Sequence, residues 1–257
     1  MIVIDDPNTF SQHQQGCVAT IGKFDGVHLG HQLILDQLKQ KAEALNLPAL
    51  AIVIEPHPEE FFTSDPGACP ARLSLIDEKL ALIESFGVDF VLVLKFDKQL
   101  SELSAEAYIR DILVDGLGIA AFIVGDDFKF GNKRGGDFAL LKREGAAHGF
   151  EVLESAAYER NGQRISSTYV RDSLQAGDFA LAEQLLGRKY TIKGEVIKGQ
   201  QLGGQIGFPT CNIDPQRLKM PLLGVFACYA SLDDVLLPAA VVDPPGEVMG
   251  WVLASSL

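Results

Sequence analysis

The chain has 257 residues, of which 47% are hydrophobic and 22% charged, and a formal charge of −12. That composition is ordinary for a globular protein long enough to bury a sizeable core and to form two domains. The acidic balance excludes nonspecific binding to nucleic acid or an anionic membrane surface, so any polyphosphate must be held by a local site.

In chain order, the N-terminal MIVIDDPNTF carries neither a basic stretch nor a long apolar run, so no signal peptide is expected and cytoplasm is the expected compartment. From residue 16 to about 154, strand-like and helical patterns alternate. The strand-like runs are Cys17–Ile21, Ala49–Ile54, Val88–Leu94, Ile119–Gly125 and Phe150–Leu153. Between them lie helical patterns at Gln32–Leu45, Leu75–Phe86, Ala105–Leu113 and Asp137–His148. Ser74 and Ser104 read as N-caps ahead of acidic first turns, and Gly87, Gly116 and Gly149 stand where helices should stop. This order predicts an α/β fold with a parallel sheet covered on both faces, its ligands beyond the C-terminal strand ends. The apolar run Gly116–Gly125 is too short to cross a bilayer.

Near residue 187 the character changes. Helical patterns at Tyr169–Leu174 and Phe179–Leu185 lead to Gly187, and Tyr190–Ile197 then alternates as a strand does. Glycine and proline become dense at Gly199, Gly203, Gly204, Gly207, Pro209, Pro215, Pro221 and Gly224, the mark of a small β-rich domain. Two domains are therefore expected, 1–186 and 187–257. The four cysteines, Cys17, Cys69, Cys211 and Cys228, form no CxxC pair and read as core residues or idle thiols.

The most informative segment is Gly22-Lys23-Phe24-Asp25-Gly26-Val27-His28-Leu29-Gly30-His31, between the first strand and the first long helix. Its glycines let a turn pass close to a ligand, and a helix start offers unpaired N–H groups to phosphate oxygens. His28 and His31, three apart, share one face of a first helical turn. No Gly-Lys-Ser/Thr closes the loop, so it is not a Walker-type site. Three further segments follow strand ends or precede a helix: Glu55-Pro56-His57-Pro58, Gly125 through Asp137, and Ile165 through Arg171. In the last, Ser166, Ser167 and Thr168 offer hydroxyls and N–H groups, and Arg171 a fixed charge. Together these predict a polyphosphate clamp built from several loops.

Plainer roles stay open for each residue alone. His28 and His31 also fit a solvated helix start, or a metal site with His57; His57 fits an ordinary loop; Ser166–Thr168 fit an N-cap. Asp126 and Asp127 fit a polar strand end, and Phe128 and Phe130 fit a core.

Taken in order, GKFDGVHLGH, GDDFKFGNKRGGD, ISSTYVRDSLQAGD and GEVIKGQQLGGQIGFPTCNI resemble the motifs of the prokaryotic bifunctional riboflavin kinase/FAD synthetases, from about residue 16 to about 226. The resemblance implies a Rossmann-like nucleotidyltransferase domain followed by a partial β-barrel of riboflavin-kinase type. It implies FMN adenylyltransferase activity, in which ATP and FMN give FAD and pyrophosphate with Mg²⁺. Carried over by position, His28, His31 and Arg171 serve catalysis at the phosphates. Gly22, Phe24, Asp25, Gly26, Gly30, Ser166, Ser167 and Thr168 form the ATP site, and His57, Asp127, Phe128 and Phe130 lie towards the flavin or adenine. The ligands of Mg²⁺ stay open between a carboxylate and the phosphates alone, as does the oligomeric state.

In the kinase-like segment, Thr210 and Asn212 match the positions that hold Mg²⁺–ATP in the family. Gly204 stands where the family usually has Arg, the resemblance fades after Phe226, and Glu247 lies in a context unlike that of the catalytic Glu. The chain stops short of a full kinase domain, so phosphorylation of riboflavin is expected to be weak or lost. Two other readings fit part of the pattern: a nucleotidyltransferase acting on another substrate, and a flavin-nucleotide binding protein without activity.

Overall fold

The computed structural model describes residues 1–11, 16–125, 127–155, 158–160, 162–197, 210–232, 235–243 and 250–254. Asp126, Gly199–Pro209, Asp233, Asp234 and Glu247 lie outside them, including the Gly204 position and the start of GFPTCN. The chain divides into two compact units, residues 1–64 with 76–166, and residues 65–75 with 167–257.

The first unit runs β1 (Ile2–Ile4), α1 (Pro7–Ser11), β2 (Cys17–Gly22), α2 (Leu29–Leu45), β3 (Ala49–Glu55), α3 (Pro58–Phe62), α4 (Ile76–Ser85), β4 (Phe90–Lys95), α5 (Lys98–Glu102), α6 (Ala105–Tyr108), β5 (Ile119–Gly125), α7 (Phe138–His148), β6 (Glu151–Ser155) and a short hairpin of β7 (Glu159–Arg160) and β8 (Gln163–Arg164). Its sheet has six strands in the order β1-β4-β3-β2-β5-β6, every neighbouring pair parallel. The chain steps from β2 to β3 to β4 on one side, then crosses to place β5 on the other side of β2. The C-terminal ends of β2 and β5 therefore flank the point where strand order reverses, the usual ligand crevice of such sheets.

Period two along the strands divides the core between the faces. Cys17, Ala19 and Ile21 of β2 join Leu50, Ile52, Leu92 and Phe122 in one cluster with Tyr108, Ile109, Leu113 and Leu141. Val18 joins Ala51, Val53, Val91 and Ile123 in the other, covered by Leu35, Leu38 and Ala42 of α2 and Ile83 of α4. Leu35 and Leu38 are fully buried, each worth about 1.5–3 kcal/mol of apolar transfer.

Local signals explain most boundaries. Ser104 caps α6 by accepting from the Ala107 N–H, Asp137 caps α7 by accepting from that of Leu140, and Gly149 closes α7 at φ 80°. Three expectations are corrected. Helix α2 begins at Leu29, three residues before the apolar periodicity, because His28 supplies the cap. The Ala105 helix runs past Leu113 as a π-helical segment from Ile109 to Gly116, so it stops at the expected glycine, and Gly118 takes the positive φ after it. Helix α4 starts at Ile76, one turn-residue past the Ser74 signal.

The second unit contains α8 (Ser167–Gln175), α9 (Phe179–Leu186), β9 (Glu195–Ile197), β10 (Thr210–Asp214), β11 (Gly224–Leu232), β12 (Val235–Asp243) and β13 (Gly250–Ala254). The strand expected over Tyr190–Ile197 is confined to β9; Tyr190 instead donates its hydroxyl to the Leu73 carbonyl at 3.2 Å. Its five strands form an antiparallel sheet in the order β11-β12-β13-β10-β9. Among the described residues β9 and β11 do not pair, so the sheet is a partial barrel and not a closed one. No helix among the described residues is long and apolar enough to cross a membrane.

Candidate active site

The loop leaving β2 is strained. Phe24 (φ 49°), Gly26 (φ 78°) and Val27 (φ 39°) all take left-handed backbone, which is uncommon for Phe and an outlier for a β-branched residue. The turn is held by the Val27 N–H donating to the Phe24 carbonyl (3.1 Å) and by the Gln32 side chain donating to the Val27 carbonyl (2.9 Å). Phe24, Asp25 and Val27 are buried, so the loop folds inwards and carries the chain directly to His28.

His28 is the N-cap of α2: its Nδ1 accepts the His31 backbone N–H at 3.3 Å. An accepting Nδ1 is unprotonated, so the neutral ring carries its proton on Nε2, where it can be donated. The His28 and His31 rings stack with centroids 3.7 Å apart and 17° between planes, and Phe24 lies 5.1 Å from the His31 ring. His31 is half-buried as a residue, but its Nδ1 is fully buried and has no hydrogen-bond partner among the described residues. Burial first, then repulsion from His28 whenever that ring is protonated and from Lys79 and Lys23, holds the His31 imidazole well below its ordinary range, so it is neutral near pH 7.

Gly30 is needed for space. A Cβ there would lie 3.2 Å from the His28 ring and 3.5 Å from the Ile165 carbonyl. The same contact shows that the residue preceding Ser166 sits against the first turn of α2. Gly22, at the end of β2, lies under the Phe24 ring, which a Cβ would meet at 3.2 Å.

The Glu55–Pro58 segment is brought to the same region. Lys23 pairs with Glu59 at 2.6 Å, tying the β2 loop to α3. His57 is 5% exposed, and Nε2 lies 3.4 Å from Nζ of Lys79, a lysine with no exposed surface. Lys79 in turn pairs with Glu55 at 3.5 Å. Sequence reading missed Lys79; its signal was a charge at a position of α4 that the helical period assigns to the core.

At the C-terminal end of α3, Phe61 and Phe62 cluster with Phe96, with centroids 5.2–5.7 Å apart, and Phe62 is 69% exposed. Sequence reading missed this cluster too, because Phe61 and Phe62 lie far from Phe96 along the chain. After β5, Asp127 is exposed and paired with Arg164 at 3.1 Å. Phe128 stacks on Phe130 at 5.3 Å, and Phe130 packs into the core against Tyr108.

In the second unit, Ser167 opens α8 with Thr168 exposed and Arg171 one turn on; Nε of Arg171 donates to the Ala71 carbonyl at 2.6 Å. Thr210 opens β10, and Asn212 is buried with its Oδ1 lacking a hydrogen-bond partner among the described residues.

Comparison with known proteins agrees with this architecture. The FAD synthetase family model matches residues 10–169 and the riboflavin kinase model residues 186–244. A bifunctional riboflavin kinase/FMN adenylyltransferase of Pseudomonas fluorescens is 48% identical over 219 residues, covering 85% of this chain and 70% of the relative. Those of Escherichia coli K12 and Haemophilus influenzae are 44% and 46% identical, covering 83% and 85% of this chain and 68% and 70% of the relatives. A crystal structure titled as a macrolide-efflux protein from Streptococcus pneumoniae shares the fold, with TM-score 0.83 at 22% identity over 100% of this chain and 84% of that one. With two family models matched in order and relatives this similar over most of their length, the chain belongs to the bifunctional riboflavin kinase/FMN adenylyltransferase family.

Proposed function

We propose that the protein transfers AMP from ATP to FMN, giving FAD and pyrophosphate, at the crevice where β2 runs into α2. The observation that carries this reading is the stacked imidazole pair, with His28 fixed as an Nε2 donor and the buried Nδ1 of His31 left without a partner among the described residues. A phosphate oxygen of FMN attacks the α-phosphorus of ATP; the new P–O bond forms as the bond to the bridging oxygen breaks, and pyrophosphate leaves with the electron pair. No protein nucleophile is required. The chain's part is to align the two phosphates and to supply N–H donors to the oxygens on which charge grows.

In this assignment His28 and His31 act at the phosphates, and the N–H groups of the first turn of α2 add to them. Gly22, Phe24, Asp25 and Gly26 shape the wall, and Ser166, Ser167, Thr168 and Arg171 are assigned to phosphate by their match to the family's second phosphate motif. His57, Asp127 and Phe128 face the flavin side, and the exposed Phe61–Phe62–Phe96 cluster offers planar apolar surface to the isoalloxazine. Phe130 supports Phe128 from beneath. Mg²⁺ enters with ATP as part of the substrate: no three His, Cys, Asp or Glu side chains among the described residues cluster as a metal site, and Asp127 is already paired with Arg164. Thr210 and Asn212 are assigned to nucleotide in the kinase-like domain, whose boundary we place at 187. Riboflavin is assigned as a poor substrate there, and cytoplasm is the compartment that suits an ATP-consuming biosynthetic step.

The test is direct. Purified protein with ATP and Mg²⁺ should release pyrophosphate only when FMN is added, with FAD as the separated product. FMN binding without turnover would leave a binding protein and overturn the assignment.

A further inference from the structure

β11 is the longest strand edge left open among the described residues. It runs nine residues, GVFACYASL, pairs with β12 alone and stands at the end of its sheet. Val225 and Tyr229 are each 69% exposed, and Ala227 and Ser231 share that exposed face. On the opposite face Phe226 packs edge-on against Phe179 of α9, with ring centroids 5.2 Å apart. The strand is thus backed by a helix and open along one side. Such an edge presents free N–H and C=O groups that template another strand, and proteins blunt it with short strands, charges, proline or bulges. β9, at the other end of the sheet, is blunted in this way: it has three residues and begins on the exposed Glu195. β11 has no charged residue, no proline and an unbroken register with β12.

Its side chains also match themselves. When two copies lie antiparallel and centred on Cys228, all nine residues pair. Val225 then faces Ser231, Phe226 faces Ala230 and Ala227 faces Tyr229. In each of these pairs a large side chain meets a small one, and Cys228 meets its own counterpart. Moving the centre to Ala227 or to Tyr229 shortens the ladder by two residues and sets Tyr229 against Val225 or against itself. We propose that β11 is a self-association surface, on which two copies of this chain join their antiparallel sheets about a twofold axis at Cys228.

A second copy suits this edge better than the alternatives. Pairing β11 with β9 of the next copy would leave most of its nine residues unmatched and would not close, whereas β11 on β11 is isologous and stops at two copies. An unrelated strand would find the same main chain but not this large-to-small order. The chain's charge of −12 opposes association, but none of it lies on β11, and salt screens charges more than about 10 Å away. A single strand contact is small against the ~1,600 Å² of a standard interface, so the dimer is reversible, with a dissociation constant on the order of 10 μM.

The test is sedimentation of the whole chain between about 1 and 100 μM, the span over which so small an interface dissociates. The mass should rise from that of the monomer to that of the dimer and go no further. Diamide, which takes up the two electrons and two protons of a thiol pair, should then join Cys228 to Cys228. Directly opposed Cα atoms in an antiparallel pair lie about 4.5–5.5 Å apart, within disulfide reach, whereas a shifted centre puts them beyond about 7 Å. Ala227→Lys sets a charge against Tyr229 and diagonal to its own counterpart. This variant should stay monomeric over the same range with an unchanged melting temperature. A wild-type chain that remains monomeric at the highest concentration overturns the proposal. So does a dimer that forms no Cys228 link, or one that Ala227→Lys leaves intact. Should Ala227→Lys fail to fold, Cys228→Ser decides: a dimer of the same mass that diamide no longer joins supports the pairing, and a link that persists through another cysteine overturns it.

Discussion

The side chains we assign to the chemistry have environments that would be costly in an ordinary core. Phe24 and Val27 hold left-handed backbone at about 1–3 kcal/mol each, and His31 keeps a buried nitrogen without a partner among the described residues. Such costs persist where the surroundings over-determine the geometry, and here the stacked rings, the Gln32 side chain and the Lys23–Glu59 pair do so. His31→Ala removes a ring that is held neutral and stacked on His28. Turnover of FMN to FAD should fall by on the order of 10²–10³, the scale for one lost transition-state donor, with thermal stability near that of wild type. Wild-type turnover in steady-state kinetics would remove His31 from the mechanism.

At the scale of the element, α2 has one N-terminus serving two purposes. The cap that starts the helix and the imidazole assigned to phosphate are the same His28 ring, so capping fixes which nitrogen faces outwards. Gly30 in that first turn is the discriminating position. Alanine is the better helix former by about 0.8–1.0 kcal/mol, yet its Cβ would crowd the His28 ring at 3.2 Å. Gly30→Ala should therefore keep or raise the melting temperature while lowering kcat and raising KM for ATP. A variant with unchanged kinetics would show that ring placement is not critical. The extent of α2 was legible from its periodicity, but its first turn was not, because histidine capping leaves no apolar signature.

Across the whole molecule, the two units differ in how well they enclose a core. The parallel sheet is covered on both faces, whereas the antiparallel sheet exposes Val225, Tyr229 and Leu236, each above 60%. An open sheet with apolar side chains in water is a poor frame for a precise nucleotide site. With ATP and Mg²⁺, riboflavin should accordingly yield little or no FMN under conditions where FMN is converted to FAD. Robust FMN formation in the same separation of flavins would overturn that. What the sequence determined by itself was the order of strands and helices, the parallel sheet and the motifs at its C-terminal edge, because period, caps and turn residues act within a few positions of the chain. The tertiary structure alone decided that β5 lies beside β2, that Lys79 is interior and that Phe61, Phe62 and Phe96 meet at the surface. Those facts depend on contacts between segments tens of residues apart, where burial and charge are set by neighbours that no local pattern specifies.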